Sequence, residues 1–156
     1  MTTSVLFIHP GDVYFGDEVN ELSTILGSCV AVTLWHPMRK IVGLCHVQFP
    51  TETKSSNDYR YAENAILYFV ENISQCNTTP SQFDVEVYGG GNMFSKIFTD
   101  RKETVGDKNI IKVLKCLEEN GFEIKKTDLG GAEARKLRIN RLSGMTKLEY
   151  VKAQQQ

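Results

Sequence analysis

The sequence predicts an α+β domain in which mostly antiparallel sheet is covered by two main helices. Segments with the alternation and β-branched composition of strands outnumber segments with helical periodicity. Several neighbouring strand segments are joined by short turns, as in hairpins. A length of 156 residues with 41% hydrophobic side chains is enough for one core. We therefore expect residues 1–156 to form a single domain.

The first predicted hairpin covers residues 29–49. Residues 29–35 alternate and are rich in β-branched side chains, which is typical of a strand. The segment 36–40 contains proline and resembles a turn, and residues 41–49 form the second predicted strand.

Two amphipathic helices follow. The polar residues 51–58 lack periodicity and are expected to form a loop, and residues 58–73 then carry apolar side chains at helical spacing. Asp107 is expected to cap the second helix, which ends near residues 120–121 and buries Ile110, Val113, Leu114 and Leu117.

Four further strands complete the prediction. The strand at 83–88 ends in the glycines 89–91, and another strand follows at 122–127. Residues 135–142 and 145–151 form a closing hairpin around Ser143 and Gly144.

The charge pattern and the cysteine pattern narrow the functional class. The 18 basic and 19 acidic residues are interspersed, which argues against a nucleic-acid partner. No apolar run approaches the ~20 residues of a spanning helix. The N-terminus lacks the basic region of a signal peptide, so we expect a cytoplasmic protein. The four cysteines form no C-x-x-C pair and should be reduced thiols.

Cys29 and His46 form the candidate catalytic pair. Cys29 follows the small residues Gly27 and Ser28 at the start of its strand, and His46 lies in the next strand. A neighbouring imidazole can take the proton of a thiol or hold it in an ion pair, and the thiolate then attacks a carbonyl carbon. The chain is therefore a candidate cysteine hydrolase.

The hairpin geometry is compatible with this pair. If the loop has four residues, His46 lies opposite Ala31, and Cys29 is its diagonal neighbour on the same face, roughly 7–8 Å away at the backbone. A register shifted by two residues would place Cys29 directly opposite His46, whereas an odd-length loop would place them on opposite faces. Cys45 should point to the other face as a buried structural thiol.

Two glycine-containing segments lie near the candidate pair, and each has an expected role. The small-residue turn at Gly27 and Ser28 permits close approach of a substrate carbonyl and can free the Cys29 N–H to donate to an oxyanion. The run 89–91 is not followed by the G-K-[ST] of a phosphate loop, so tight turns or close packing beside the site are expected.

No metal or organic cofactor is expected. A zinc site from Cys29, Cys45, His36 and His46 is disfavoured because the adjacent Cys45 and His46 face opposite ways on a strand. His9 and His36 lie beside prolines and are expected to be surface residues. Solvated faces are expected for the basic residues Lys96, Lys102, Arg135, Arg138 and Arg141.

Six motifs extend over most of the chain, from about Gly16 to Tyr150. They are residues 26–32 (LGSCVAV), the spaced Gly43, His46 and Pro50, residues 61–62, 89–94 and 105–110, and residues 128–131 followed by 134–135. In this order and spacing they resemble the CheD family of chemoreceptor glutamine deamidases.

The resemblance implies two packed sheets flanked by helices, similar to toxin deamidases with a Cys–His site. It implies hydrolysis of selected glutamine side chains in the cytoplasmic helices of chemoreceptors to glutamate, with glutamate methyl esters as a further substrate in some relatives. Cys29 falls on the family nucleophile and His46 on the family histidine. A CheC-like phosphatase is an implied partner.

The third family residue is a threonine shortly before the cysteine. Thr24 is the expected counterpart, and Ser23 is the alternative if the spacing is counted without a gap. Either hydroxyl can orient an imidazole by hydrogen bonding. The competing functional hypothesis is a regulatory module that docks on receptors or on CheC without catalysis.

Overall fold

The computed structural model describes residues 4–50, 57–92 and 103–151. Within these ranges the chain forms nine strands and two α-helices. In chain order they are β1 (Val5–Phe7), β2 (Val13–Gly16), β3 (Glu21–Leu26), β4 (Val30–His36), β5 (Ile41–Val47), α1 (Ala62–Gln75), β6 (Asp84–Gly89), α2 (Val105–Glu119), β7 (Ile124–Leu129), β8 (Ala134–Asn140) and β9 (Thr146–Val151). Most of the predicted loop at 51–58 lies outside the described residues.

The strands form two sheets. One has the order β1-β3-β8-β9 and the other β2-β5-β4-β6-β7. Pairs β1–β3 and β6–β7 are parallel, and the remaining pairs are antiparallel. The predicted α+β class with mostly antiparallel sheet is confirmed. Among the described residues, no helix has both the length and the apolar character needed to cross a bilayer.

The central strands β4 and β5 of the five-stranded sheet are buried on both faces because the other layers pack against them. One face meets the four-stranded sheet through an inter-sheet core, which consists of Ile8, Leu22, Leu26, Ala31, Val42, Leu44, Tyr88, Leu137 and Ile139. The opposite face meets both helices through a helix-side core that includes Val32, Cys45, Val47, Ile66, Phe69, Val87 and Leu117. Successive residues of β4 and β5 therefore alternate between the two cores.

Of the alternatives for the central hairpin, the structure has the four-residue loop. His36 pairs with Ile41 and Ala31 pairs with His46. The turn closes through Lys40, whose φ of 52° lies in the left-handed region and whose N–H donates to the His36 carbonyl over 2.9 Å. The even loop length puts Ala31 and His46 on the same face, as the sequence predicted.

Several element boundaries differ from the prediction. Thr104 rather than Asp107 caps α2: its hydroxyl accepts the Asp107 N–H, and the Asp107 carboxylate accepts the Thr104 N–H, so the two form a capping box. Strand β7 begins at Ile124 rather than at Phe122, because the backbone of Phe122 is hydrogen-bonded to the end of α2. The Phe122 N–H donates to the Leu117 carbonyl across Gly121, whose φ is 82°.

Two residues expected at the surface are buried. His36 packs edge-on against the Phe83 ring with 5% of its surface exposed. Arg135 is 3% exposed because it lies on the inward face of β8, and its guanidinium donates to the Asp128 carboxylate and the Gly130 carbonyl. Arg138, on the outward face of β8, is exposed as expected, whereas Lys96 and Lys102 lie outside the described residues.

Candidate active site

The candidate site lies between the two sheets, where three chain segments meet. His46 is near the end of β5 and only 3% exposed, and its ring faces the four-stranded sheet. Thr24 is on β3, in the alternation Leu22-Thr24-Leu26 that buries every second side chain. Cys29 is the residue immediately before β4. It is half-buried and packs against the inter-sheet core.

Hydrogen bonds determine the tautomer of His46. The Thr24 hydroxyl lies 2.6 Å from the Ile8 carbonyl, which can only accept, so the single hydroxyl proton is donated there. The contact of 2.8 Å between Thr24 Oγ1 and His46 Nδ1 must then be an Nδ1–H donating to the hydroxyl oxygen. His46 Nε2 is left unprotonated and is free to accept a proton.

The alternative residue Ser23 has no such contact, because neighbouring residues on a strand face opposite ways. Its side chain lies on the same face of β3 as the exposed Ile25, away from His46. Its backbone carbonyl instead accepts the Ile8 N–H over 2.8 Å, which fastens the segment that Thr24 contacts. The sequence could have shown that Thr24 rather than Ser23 faces inward, since Leu22, Thr24 and Leu26 have the alternation of a half-buried strand.

Burial shifts the pKa values of Cys29 and His46 in opposite directions. It lowers the pKa of His46, against smaller opposing effects from the Ile8 carbonyl and the Asp12 charge. It raises the pKa of the Cys29 thiol. Both shifts favour a protonated thiol and a neutral imidazole over an ion pair in the resting protein.

The Cys29 segment is held by the glycine run that follows β6. The Gly90 N–H donates to the Cys29 carbonyl over 2.8 Å, and the Gly91 N–H donates to the Gly27 carbonyl over 2.9 Å. Gly89 has a φ of 111°, and a Cβ there would overlap the Cys29 carbonyl oxygen. The expectation of close packing beside the site is confirmed.

The structure does not bring together the four residues of a conceivable zinc site. Cys45 lies in the helix-side core, where burial raises the pKa of its thiol to about 12, and His36 is at the far end of β4. Among the described residues no group of three or more His, Cys, Asp or Glu side chains is placed to hold a metal ion.

One contributor to the site was missed from the sequence. The Ile8 carbonyl, which accepts the Thr24 hydroxyl, follows β1, and β1, β2 and β3 were not predicted as strands. The short segments 5–7 and 13–16 offer too few residues for an alternation to be recognised.

Comparison with known proteins places this chain in a family. The family model described as CheD chemotactic sensory transduction matches residues 45–150. A relative in Dechloromonas aromatica, named probable chemoreceptor glutamine deamidase CheD 3, is 31% identical over 142 residues, which cover 89% of this chain and 83% of the relative. A relative in Pseudomonas syringae pv. syringae, named probable chemoreceptor glutamine deamidase CheD, is 34% identical over 135 residues, covering 85% and 76%.

Among solved structures, the hypothetical protein YfiH of Bacillus licheniformis aligns with a TM-score of 0.49 at 13% identity, over 75% of this chain and 50% of that one. The family model matches more than half of the chain, and the two relatives are similar along most of their own length. The chain therefore belongs to the CheD family.

Proposed function

We propose that the protein hydrolyses the side-chain amides of specific glutamines in chemoreceptor cytoplasmic helices to glutamate, with Cys29 as the nucleophile. The observation that carries the proposal is the hydrogen bond from His46 Nδ1 to Thr24, which leaves Nε2 as a base on the face of the sheet shared with Cys29. The names of the relatives, chemoreceptor glutamine deamidases, identify the substrate.

In the proposed acylation step, His46 Nε2 takes the thiol proton as Cys29 Sγ attacks the glutamine Cδ. The carbonyl π electrons move to the oxygen, and a backbone N–H, with that of Cys29 as the candidate, stabilises the oxyanion. The oxyanion then collapses, the C–N bond breaks, and the imidazolium of His46 donates its proton to the leaving ammonia. A thioester between Cys29 and the substrate remains.

In the proposed deacylation step, water attacks the thioester carbonyl while His46 Nε2 accepts one of its protons. The C–S bond breaks, and His46 passes the proton it accepted to Cys29 Sγ. The product leaves as the glutamic acid side chain, which loses the second water proton to solvent and becomes the carboxylate at neutral pH. Each turnover adds one negative charge to the receptor surface. No step requires a redox change or an external acid.

Thr24 is proposed to act through His46 rather than on the substrate. Its hydroxyl oxygen holds the Nδ1–H tautomer and stabilises the imidazolium that forms transiently. A hydroxyl does this more weakly than a carboxylate would. Ser23 has no place in this proposal, because its side chain is on the other face of β3.

The proposal includes a cytoplasmic location and, as a second partner, a CheC-like phosphatase. Glutamate methyl esters are a second candidate substrate class. The same attack on the carbonyl would release methanol, which needs less help from a general acid than an amide leaving group.

The test is incubation of the purified protein with the cytoplasmic fragment of a chemoreceptor from the same organism, followed by peptide mass spectrometry. We expect conversion of particular glutamines to glutamate, and no conversion with Cys29→Ala. Cys76→Ala is the matched control, because Cys76 is also half-buried but lies beyond α1 on the helix side. Receptor binding without conversion would favour the docking module instead.

A further inference from the structure

Asn109 on α2 connects the two ends of the catalytic hairpin. Its side chain is completely buried, and its amide Nδ2 lies 3.0 Å from the Ser28 carbonyl oxygen and 3.1 Å from the Gln48 carbonyl oxygen. Both carbonyls can only accept, so the amide donates both of its hydrogens. The opposite amide orientation would set three oxygens against one another and is excluded.

These contacts lie where the strand ladder stops. The pairing of β4 with β5 ends at Val30 and Val47. Ser28 precedes Cys29 by one residue, and Gln48 follows His46 by two. The Asn109 amide therefore takes the place of a ladder connection at the end of the hairpin that carries Cys29.

The contact with Ser28 also determines the direction of the Cys29 N–H. The Ser28 C=O and the Cys29 N–H belong to one planar trans peptide unit, in which the two bonds point in opposite directions. An amide that fixes the carbonyl on one side therefore fixes the N–H on the other. A hydrogen bond accepted by the carbonyl also polarises the unit and makes its N–H a stronger donor.

The Cys29 N–H is available for this purpose. It donates to no atom of residues 4–50, 57–92 or 103–151, whereas the Cys29 carbonyl is occupied by the Gly90 N–H. The peptide units on both sides of Cys29 are thus held by other parts of the chain. This is the geometry expected of a preorganised oxyanion donor.

We propose that Asn109 is a positioning residue that aims the Cys29 N–H at the oxyanion formed during deamidation. The proposal rests on the function proposed above. It predicts that a variant without the Asn109 amide is slower only in the reaction steps that form an oxyanion. Deprotonation of Cys29 by His46 does not involve the N–H and should be unaffected.

Two reactions of Cys29 separate these roles. Hydrolysis of the receptor glutamine passes through an oxyanion, whereas alkylation of the thiol by iodoacetamide is a displacement at carbon that forms none. For Asn109→Leu we expect kcat for the receptor fragment to fall by about 10²-fold, the lower end of the effect of deleting an oxyanion donor. The alkylation rate of Cys29 and its dependence on pH should stay within about twofold of the parent.

The matched control is Asn72→Leu on α1, where the amide donates to the Tyr68 carbonyl one turn earlier in the same helix. It removes an equivalent amide without touching either end of the hairpin, and both reactions should remain at the parent rate. If Asn109→Leu fails to fold, Asn109→Ser provides the test. Its smaller side chain admits water to hydrate the two carbonyls but cannot bridge them.

Each outcome has one meaning. Equal losses of deamidation and alkylation would show that Asn109 only supports the fold around Cys29, and an unchanged kcat would show that it has no role; either overturns the proposal. If the parent protein converts no receptor glutamine, the proposed function fails and the role of Asn109 fails with it. A selective loss of kcat supports the proposal.

Discussion

The Thr24 hydroxyl and the His46 imidazole join the two sheets through one hydrogen bond of 2.8 Å from Nδ1 to Oγ1. Thr24 belongs to the four-stranded sheet and His46 to the five-stranded sheet. Because the Thr24 proton goes to the Ile8 carbonyl, the direction of this bond is fixed. A sheet-to-sheet contact thus determines which nitrogen of His46 can act as a base.

Thr24→Val tests this relationship. Valine keeps the shape of threonine but cannot accept the Nδ1–H, so only the longer contact of 3.4 Å with the Ile8 carbonyl oxygen remains to orient the His46 ring. We expect kcat for receptor deamidation to fall by about 10²-fold, at the low end of the range for general acid–base catalysis. The free energy of unfolding should fall by about 1–3 kcal/mol, because the buried Ile8 carbonyl loses the shorter of its two hydrogen-bond contacts.

Two variants control for this result. Thr24→Ser retains the hydroxyl and should keep most of the activity. Ser23→Ala changes the neighbouring hydroxyl on the other face of β3 and should have no effect on kcat. A loss of activity in Ser23→Ala with an active Thr24→Val would reverse the assignment.

The resting state of Cys29 gives a second prediction. Because burial raises the pKa of Cys29 from 9.0 and lowers that of His46 from 6.5, the active form carries one proton on the thiol and none on the imidazole across a wide pH range. We expect kcat/KM to fall with acid only below pH 6.5, when His46 is protonated. It should fall with alkali only above pH 9.0, when Cys29 ionises.

The ultraviolet absorbance of the thiolate checks the same state directly. The difference in absorbance between the parent and Cys29→Ser should show no thiolate at neutral pH. Thiolate should appear only above pH 9.0, the ordinary value from which burial raises the pKa of Cys29. A full thiolate signal at neutral pH would instead establish an ion pair with His46.

The sequence was most informative where chain neighbours determine the structure. The register of the central hairpin followed from a four-residue loop, and the opposite orientations of Cys45 and His46 followed from the period of a strand. These local rules placed Cys29 and His46 on one face before any tertiary contact was known.

The sequence was less informative where distant segments meet. Strand alternation puts Arg135 on the face of Leu137 and three residues before the outward Arg138. It does not show that Asp128 in the neighbouring sheet lies there to pair with the buried guanidinium. The Ile8 carbonyl is a backbone atom, so its contact with Thr24 leaves no residue type to recognise. Such contacts depend on how the sheets pack.

Gly106→Ala should be destabilising although alanine is the better helix former. The substitution favours an exposed helix by about 1 kcal/mol. At Gly106, however, a Cβ would lie 2.5 Å from the Gly90 carbonyl oxygen and 2.8 Å from that of Gly91, and both are backbone atoms that cannot rotate away. We expect the free energy of unfolding to fall by about 1–3 kcal/mol, as in overpacked cores.

The same substitution should also reduce activity, because α2 would push against the glycine run that holds Cys29 through the Gly90 N–H. Chemical denaturation and receptor deamidation measure the two effects. Lys108→Ala, at an exposed position of the same helix, should leave both near the parent values. A Gly106→Ala protein as stable as the parent would show that the helix can move away without cost.

Arg135 and Arg138 should differ strongly although they lie only three residues apart on β8. Arg135 is 3% exposed, and its Nε donates to Asp128 over 2.9 Å while Nη2 donates to the Gly130 carbonyl over 2.7 Å. For Arg135→Met we expect the free energy of unfolding to fall by about 2–3 kcal/mol, somewhat less than the usual effect of breaking a buried ion pair. The loss is reduced because Asp128 is partly exposed and keeps the hydrogen bond from Tyr150.

Arg138→Met is the matched control on the outward face of the same strand. Its side chain is 62% exposed and its Nη1 lies 3.9 Å from the Glu21 carboxylate, so solvent screens the interaction. We expect the free energy of unfolding to change by no more than about 0.5 kcal/mol, as for most surface substitutions. Urea denaturation of both variants measures the difference. Equal, small effects would mean that the Asp128 carboxylate and the Gly130 carbonyl are hydrated well enough without Arg135, and that the inward face of β8 is open to water at this end.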